Sequence, residues 1–105
     1  MNNSVLRKDY KVSKDVFKSA KTLGFKGMLK PSQSMVQKWL REKYNIEIEI
    51  YCGYDFHIKS YTFLVLRFDN NGLIWKEGSP KTFDKYEDAL ENALCISIKL
   101  IKSIC

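Results

Sequence analysis

The stretch 32-SQSMVQKWLREKYNIEIEIY-51 changes its hydrophobic period from about 3.6 residues to two, and this change decides the fold. The first part predicts an amphipathic helix that Ser32 caps and that runs to about Asn45. From Ile46 onward Ile alternates with Glu, which predicts a strand with one buried and one solvated face. The apolar half of the helix consists of Met35, Val36, Trp39, Leu40 and Tyr44.

Two further helices are predicted on either side of this stretch. One begins after Ser13 and ends before Gly24, which stands where a helix commonly takes a residue of positive φ. The other follows Asp84 and Glu87, which are spaced like a capping box, and carries a wide apolar arc. That arc predicts a helix that crosses a sheet and is largely covered.

The remaining strands come from the middle of the chain. The segment 61-YTFLVLRF-68 is apolar on both faces, which predicts a central strand. The turn 69-DNNG-72 leads into a returning strand, 73-LIWKE-77, whereas residues 52–60 are predicted to be a loop or a ragged extension of the strand. We therefore expect one α+β domain over residues 1–105, with residues 1–12 frayed. Its predicted order is α-α-β-β-β-α, a three-stranded antiparallel sheet with helices packed on one face.

Composition is typical of an ordinary globular protein, with 45% hydrophobic and 29% charged residues. The start of the chain lacks the apolar core of a secretory signal, and no run is long enough to cross a membrane. Three cysteines, Cys52, Cys95 and Cys105, cannot all pair within one chain, and their spacing fits no metal motif. These features predict a cytoplasmic protein with reduced thiols and no membrane partner.

Positive charge is concentrated in the first half of the chain. Residues 1–45 carry eleven Lys and Arg against three acids, whereas residues 46–105 carry seven against nine. Such asymmetry suggests an anionic partner, although it also serves solubility. The candidate nucleic-acid-binding residues are Lys14, Lys18, Lys21, Lys26, Lys30, Lys38 and Arg41.

A helix-turn-helix is one way in which this half could contact DNA. The segments 20-AKTLGF-25 and 32-SQSMVQKWLRE-42 are similar to that motif, with Gln33, Gln37 and Lys38 among the residues that would face the groove. About nine residues separate the two helices, however, where the motif has a turn of three or four. The alternative is that the second helix is structural and its apolar side belongs to the core.

Enzymatic chemistry has little support in the sequence. The single histidine, His57, follows Asp55 by two residues, with no nucleophile in a recognisable setting. There is no phosphate-binding glycine loop and no nucleophile elbow. We predict no enzyme activity, catalytic residue, cofactor, metal or small-molecule ligand.

The order helix-strand-strand-strand-helix from residue 33 onward resembles a double-stranded-RNA-binding domain. That family holds phosphates with lysines at the start of its last helix, where this chain has Asp84, Glu87 and Asp88. Carboxylates repel phosphate, so the resemblance concerns the element order alone. Tyr61 and Phe63, with Tyr51 beyond, could stack bases, but aromatic residues on a small sheet are more often core.

Two segments, 32-SQSMVQKWLREKYNIEIEI-50 and 83-FDKYEDALENALCISIKLI-101, resemble small uncharacterised proteins of phages and integrated mobile elements in gut Bacteroidetes. The resemblance implies an origin and no mechanism, because the shared residues are caps and core positions. We expect a non-enzymatic module that binds a protein partner or associates with itself through the exposed face and edge of its sheet. The alternative is a nucleic-acid-binding accessory protein that uses the basic first half.

Overall fold

The computed structural model describes residues 10–27 and 30–104, and within them it shows the predicted α+β fold. Three helices and a three-stranded antiparallel sheet follow in the order α-α-β-β-β-α. The elements are α1 (Lys14–Thr22), α2 (Gln33–Tyr44), β1 (Ile46–Asp55), β2 (Ile58–Asp69), β3 (Gly72–Gly78) and α3 (Tyr86–Ile104).

The helix ends lie where the capping residues place them. The Ser13 and Ser32 hydroxyls accept hydrogen bonds from the backbone N–H groups of Val16 and Met35, three residues on. Asn45 ends α2 with φ of 59°, so the chain turns directly into β1. After α1, Gly24 has φ of 103°, a conformation in which a side chain would be strained. Local chemistry therefore accounts for these boundaries.

The sheet has β2 at its centre, with β1 and β3 as edges among the described residues. Its register sets Ile48 beside Val65, and Glu47 beside Leu66. Because side chains alternate across a strand, these two pairs lie on opposite faces. A register shift between Arg67 and Phe68 interrupts the pairing of β2 with β3.

Residues 52–60, predicted to be a loop or a ragged extension, form a regular hairpin extension of β1 and β2. Pairing of β1 with β2 continues through Tyr54 and Lys59 to a two-residue turn at Phe56 and His57. Both turn residues have positive φ, 50° and 69°, as a tight hairpin of this hand requires. The sequence has no Asn-Gly signal at this point, so backbone pairing brings two residues that seldom adopt such φ values into the turn.

The helices pack on one face of the sheet, as predicted. The buried sheet residues Ile46, Ile48, Phe63 and Val65 all belong to this face by register, and we call it the covered face. From the helices, the core receives Val16, Ala20, Val36, Leu40, Ala89, Leu90, Ala93, Leu94, Ile98 and Ile101. Met35, assigned to the apolar half of α2, is instead 56% exposed because it lies at the margin of that half.

Helices α1 and α2 lie side by side and run in the same direction. Before them, Val12 N–H donates to Pro31 O and Gln33 N–H donates to Tyr10 O, so their amino ends adjoin. At their carboxyl ends, the Tyr44 hydroxyl donates to Leu23 O at 3.0 Å. Two helices joined in this way do not form the crossed pair of a helix-turn-helix.

The segment predicted to be frayed is only partly described. Residues 1–9 lie outside the described residues, whereas residues 10–12 pair with residues 31–33. The side chain of Val12 is 1% exposed and belongs to the core. Burial of this one apolar side chain and the pairing of its backbone hold residues 10–12 in place.

Glu91 of α3 joins the amino ends of both other helices. Its carboxylate accepts from Ser13 N–H at 2.9 Å and from Gln33 Nε2 at 3.0 Å. Gln33 Nε2 also donates to Glu87 O at 2.8 Å, so the buried amide uses both of its hydrogens. These hydrogen bonds connect the three helices, and both hydrogens of the buried Gln33 amide have an acceptor.

Candidate interaction surfaces

The face of the sheet opposite the helices carries a mixed row of side chains. Register places Glu47 of β1, Leu66 of β2 and Lys76 of β3 in one line across the strands. None of the described helices covers this side, which we call the open face. Its residues include Glu47, Glu49 and Tyr51 of β1, Ile58, Thr62, Leu64 and Leu66 of β2, and Lys76 of β3.

The middle of the open face is apolar and its margins are charged. Leu64 and Leu66 are half-buried by their neighbours, and Ile58 at the far end of β2 is 68% exposed. Acids line the β1 margin, whereas the β3 margin holds Lys76. Apolar side chains at the centre and polar ones around them are typical of a protein-binding surface.

The far end of the β1–β2 hairpin carries exposed aromatic side chains. Tyr54 is 78% exposed and Phe56 is 86% exposed, at the end of an arm whose sequence was expected to be a loop or a ragged extension. We call residues 54–58 the hairpin tip. Exposure of such large apolar side chains to water is unfavourable, and their burial against a partner would lower the free energy. Residues 54–58 alternate apolar and polar side chains, with Tyr54, Phe56 and Ile58 apolar, and this alternation was the signal of extended chain in the sequence.

All seven predicted nucleic-acid-binding residues are exposed, but they do not form one cluster of the fold. Lys14, Lys18 and Lys21 follow one another at helical spacing along the outer side of α1. Lys38 and Arg41 lie on the outer side of α2, where Lys38 Nζ is 3.9 Å from the Glu42 carboxylate. We call these five residues the outer helix surface. The remaining two, Lys26 and Lys30, belong to the connection between the helices.

Two of the polar residues proposed to read a DNA groove, Gln33 and Gln37, hold the helix layer instead. Gln33 is 5% exposed and donates to Glu87 and Glu91. Gln37 Nε2 donates to Ile48 O at 3.3 Å, across the contact of α2 with β1. Since α1 and α2 run in the same direction and these amides hold α2 to its neighbours, the helix-turn-helix hypothesis is wrong.

The proposed aromatic stacking platform is divided between two faces. Phe63 is buried, and Tyr61 contacts Tyr86 edge to face with ring centroids 6.0 Å apart. Tyr51 lies opposite Thr62 on the open face, and its hydroxyl donates to the Glu49 carboxylate. This hydrogen bond and the negative charge beside it raise the pKa of Tyr51 above its ordinary value. The three rings therefore do not act together.

The reactive side chains of the described residues are dispersed. His57 occupies the exposed hairpin turn, Cys52 is exposed on β1, and Cys95 is partly buried on α3. Among the residues that the structure describes, no three His, Cys, Asp or Glu side chains are grouped as a metal site would require. The predicted Cys105 thiol lies outside the described residues.

A shallow groove runs between α1 and α3, with two adjoining cavities of about 280 and 240 Å³. Asp15, Val16 and Cys95 line both. One end adds the acids Asp88 and Glu91, and the other end adds Lys99 and Lys102. The groove has cations and carboxylates at opposite ends, an arrangement that selects no single ligand charge.

Comparison of the chain with protein-family models, with curated proteins and with solved structures gave no match. No helix within residues 10–27 and 30–104 has the length and hydropathy needed to cross a membrane. Function is therefore inferred from the chemistry of the open face, the hairpin tip and the outer helix surface.

Proposed function

We propose that this protein is a non-enzymatic binding module that contacts a protein partner through the open face of its sheet and the hairpin tip. The observation that carries the proposal is the apolar centre of the open face, where Leu64 and Leu66 project from the central strand with no helix over them. A stripe of this kind binds well to another apolar surface, and its charged margins restrict which surface fits.

The hairpin tip extends this surface. Ile58 belongs to the open face by register, and Phe56 follows Tyr54 around the turn. Aromatic side chains of this size are the commonest anchors of protein interfaces. Positive φ at Phe56 and His57 costs conformational free energy and fixes the direction of the tip. Such a cost is consistent with selection for binding rather than for stability.

Residues 32–50 and 83–101 supply the only indication of origin. Their similarity to small proteins of phages and mobile elements in gut Bacteroidetes supports the proposal that the partner is a phage or host protein. The caps and core residues that carry this similarity build α2, β1 and α3, and none of them lies at the centre of the open face.

Capture from a cell extract tests the proposal when matched variants are compared. The double variant Leu64→Lys, Leu66→Lys places charge at the centre of the open face, and Lys14→Glu, Lys18→Glu changes the outer helix surface instead. We expect proteins captured by the wild-type chain to be lost by the first variant and kept by the second. Equal capture by all three folded chains would contradict the proposal.

Nucleic-acid binding is a second candidate, which one observation favours. Lys14, Lys18 and Lys21 line a single exposed side of α1 at helical spacing. A row of cations can contact phosphates without base specificity. Titration of duplex and single-stranded DNA and RNA at about 50 and 200 mM salt distinguishes this function. Binding that falls steeply with salt and is lost in Lys14→Glu, Lys18→Glu would support it, and no binding at the lower salt would exclude it.

A further inference from the structure

We propose that the protein forms a symmetric homodimer in which two open faces stack, with the two-fold axis parallel to β2. The inference rests on the proposed function, since it assigns the open face to a partner, and it identifies that partner as a second copy of this chain. The first argument is the row that crosses the three strands at Glu47, Leu66 and Lys76.

This row is complementary to itself under one rotation only. A two-fold axis along β2 turns the sheet over and exchanges the positions of β1 and β3. Glu47 of one copy then faces Lys76 of the second, and Lys76 faces Glu47, so one row supplies two attractive pairs. The alternative two-fold axis, across the strands, sets β1 over β1 and brings Glu47 and Glu49 against the same carboxylates of the second copy. Charge therefore selects the axis parallel to β2.

The same axis brings apolar side chains together. Strand β2 lies beside the axis, so Leu64, Leu66 and Ile58 each approach the second copy of themselves. Gly78, beside Leu64 in register, adds no side chain to the face and leaves room for Glu49 of the second copy, which the rotation places opposite it. Two sheets that pack face to face in this way stand about 10 Å apart, with their strands nearly aligned.

Size predicts the strength of the dimer. Strand β2 has 12 residues. At about 3.4 Å per residue and about 4.8 Å between strands, the open face measures at most roughly 40 by 14 Å, or about 560 Å² for each copy. This area is below that of a standard stable interface, so we expect a reversible dimer with a dissociation constant in the micromolar range. Both hairpin tips would project from the same end of such a dimer, because rotation about β2 preserves the direction of the strands.

Charge reversal at the two margins tests the geometry. In a dimer of the Glu47→Lys variant, each introduced lysine would face Lys76 of the other copy. In a dimer of the Lys76→Glu variant, each introduced glutamate would face Glu47 of the other copy. Sedimentation of each chain from about 10 μM to about 1 mM at low salt should show a reversible dimer for the wild type. For each single variant we expect dimerisation to be about tenfold weaker. An equimolar mixture of the two variants should restore a dimer, since the lysine introduced in one chain then faces the glutamate introduced in the other.

Two controls separate the effect of charge from that of folding. Lys38→Glu makes the same charge change on the outer helix surface and should leave dimerisation unchanged. Circular dichroism and urea unfolding of every variant test whether the variant is still folded, so that a loss of dimer can be assigned to the change of charge. Leu66→Lys, at the axis, should give a folded monomer that neither reversal variant can rescue.

Three results would overturn the proposal. They are a wild-type chain that stays monomeric at about 1 mM, single reversals that dimerise as the wild type does, and a mixture of the two reversals that stays monomeric. Pairing through the β1 or β3 edge would give the second result. A monomeric wild type that still captures a partner lost on Leu64→Lys, Leu66→Lys would overturn the homodimer and leave the proposed function standing.

Discussion

The two faces of the sheet are built from the same three strands and differ in what covers them. On the covered face, Phe63 and Val65 are 3% and 0% exposed beneath α3. On the open face, the adjacent residues Leu64 and Leu66 are equally apolar but only half-buried. A one-layer helix arrangement needs only one apolar face, so the second apolar face of β2 is more than the fold of a single chain requires. Stability is therefore concentrated on the covered face, and the open face is left as the proposed binding surface.

The largest expected effect tests this division within one strand. Phe63→Ala removes a buried ring and should lower the free energy of unfolding by about 3–5 kcal/mol. Leu64→Ala, one residue on, should cost less than about 1 kcal/mol, since a half-exposed side chain leaves no sealed cavity. Urea unfolding of both variants, at a protein concentration low enough for the chain to be monomeric, measures the difference in free energy of unfolding. Equal losses would show that the open face is buried within the single chain.

Next in size is the polar cluster that holds the helix layer over the covered face. Gln33→Ala removes two hydrogen bonds and leaves the partly buried Glu91 carboxylate with one fewer donor, so we expect a loss of about 1–3 kcal/mol. Gln37→Ala removes a single bond of 3.3 Å to Ile48 O and should cost about 1 kcal/mol or less. Urea unfolding compares the two. A smaller loss for Gln33→Ala than for Gln37→Ala would contradict the role assigned to the cluster.

A third prediction concerns the hairpin tip, where binding and stability should respond in opposite directions. Replacing Phe56 and His57 by Asn and Gly suits the positive φ values and should stabilise the chain by about 1 kcal/mol. The same change removes an aromatic ring that is 86% exposed and should weaken partner capture. Thermal unfolding and capture measured on the same variant test both parts. Unchanged capture would remove Phe56 from the proposed surface.

The smallest expected effect is electrostatic and lies on the open face. The hydrogen bond to Glu49 raises the pKa of Tyr51, so Glu49→Gln should lower that pKa toward the ordinary value for tyrosine. A raised pKa favours the neutral phenol, so its contribution to stability is complete below pH about 10 and is lost as pH rises through the folded-state pKa. Titration followed by NMR of the Tyr51 ring measures the shift. The same pKa in wild type and Glu49→Gln would show that the hydrogen bond is absent in solution.

Patterns of the sequence predicted the elements with strong periodicity. The period of two over residues 46–51 and the apolar arcs of α2 and α3 predicted the α+β order, and Ser13, Ser32 and Gly24 marked helix ends. The regular pairing of residues 52–60 was not predicted, because contact with a neighbouring strand holds them extended and their own composition leaves a loop equally open.

The candidate site was predicted only in part. An exposed sheet face was expected, but the row of Glu47, Leu66 and Lys76 depends on register, which residues far apart in the chain decide together. Gln33 and Gln37 were assigned to a DNA groove because exposure of a polar residue on a helix cannot be judged before its neighbours are known.

The sequence by itself determined where α1 and α2 begin and end, and which side of β1 is apolar, because caps and hydrophobic period act over a few neighbouring residues. Only the tertiary structure decided that α1 and α2 run in the same direction, that the hairpin extends to Phe56, and that charges of opposite sign flank one apolar strand. These features depend on contacts between distant segments, whose free energy comes from burial and pairing that no short stretch contains.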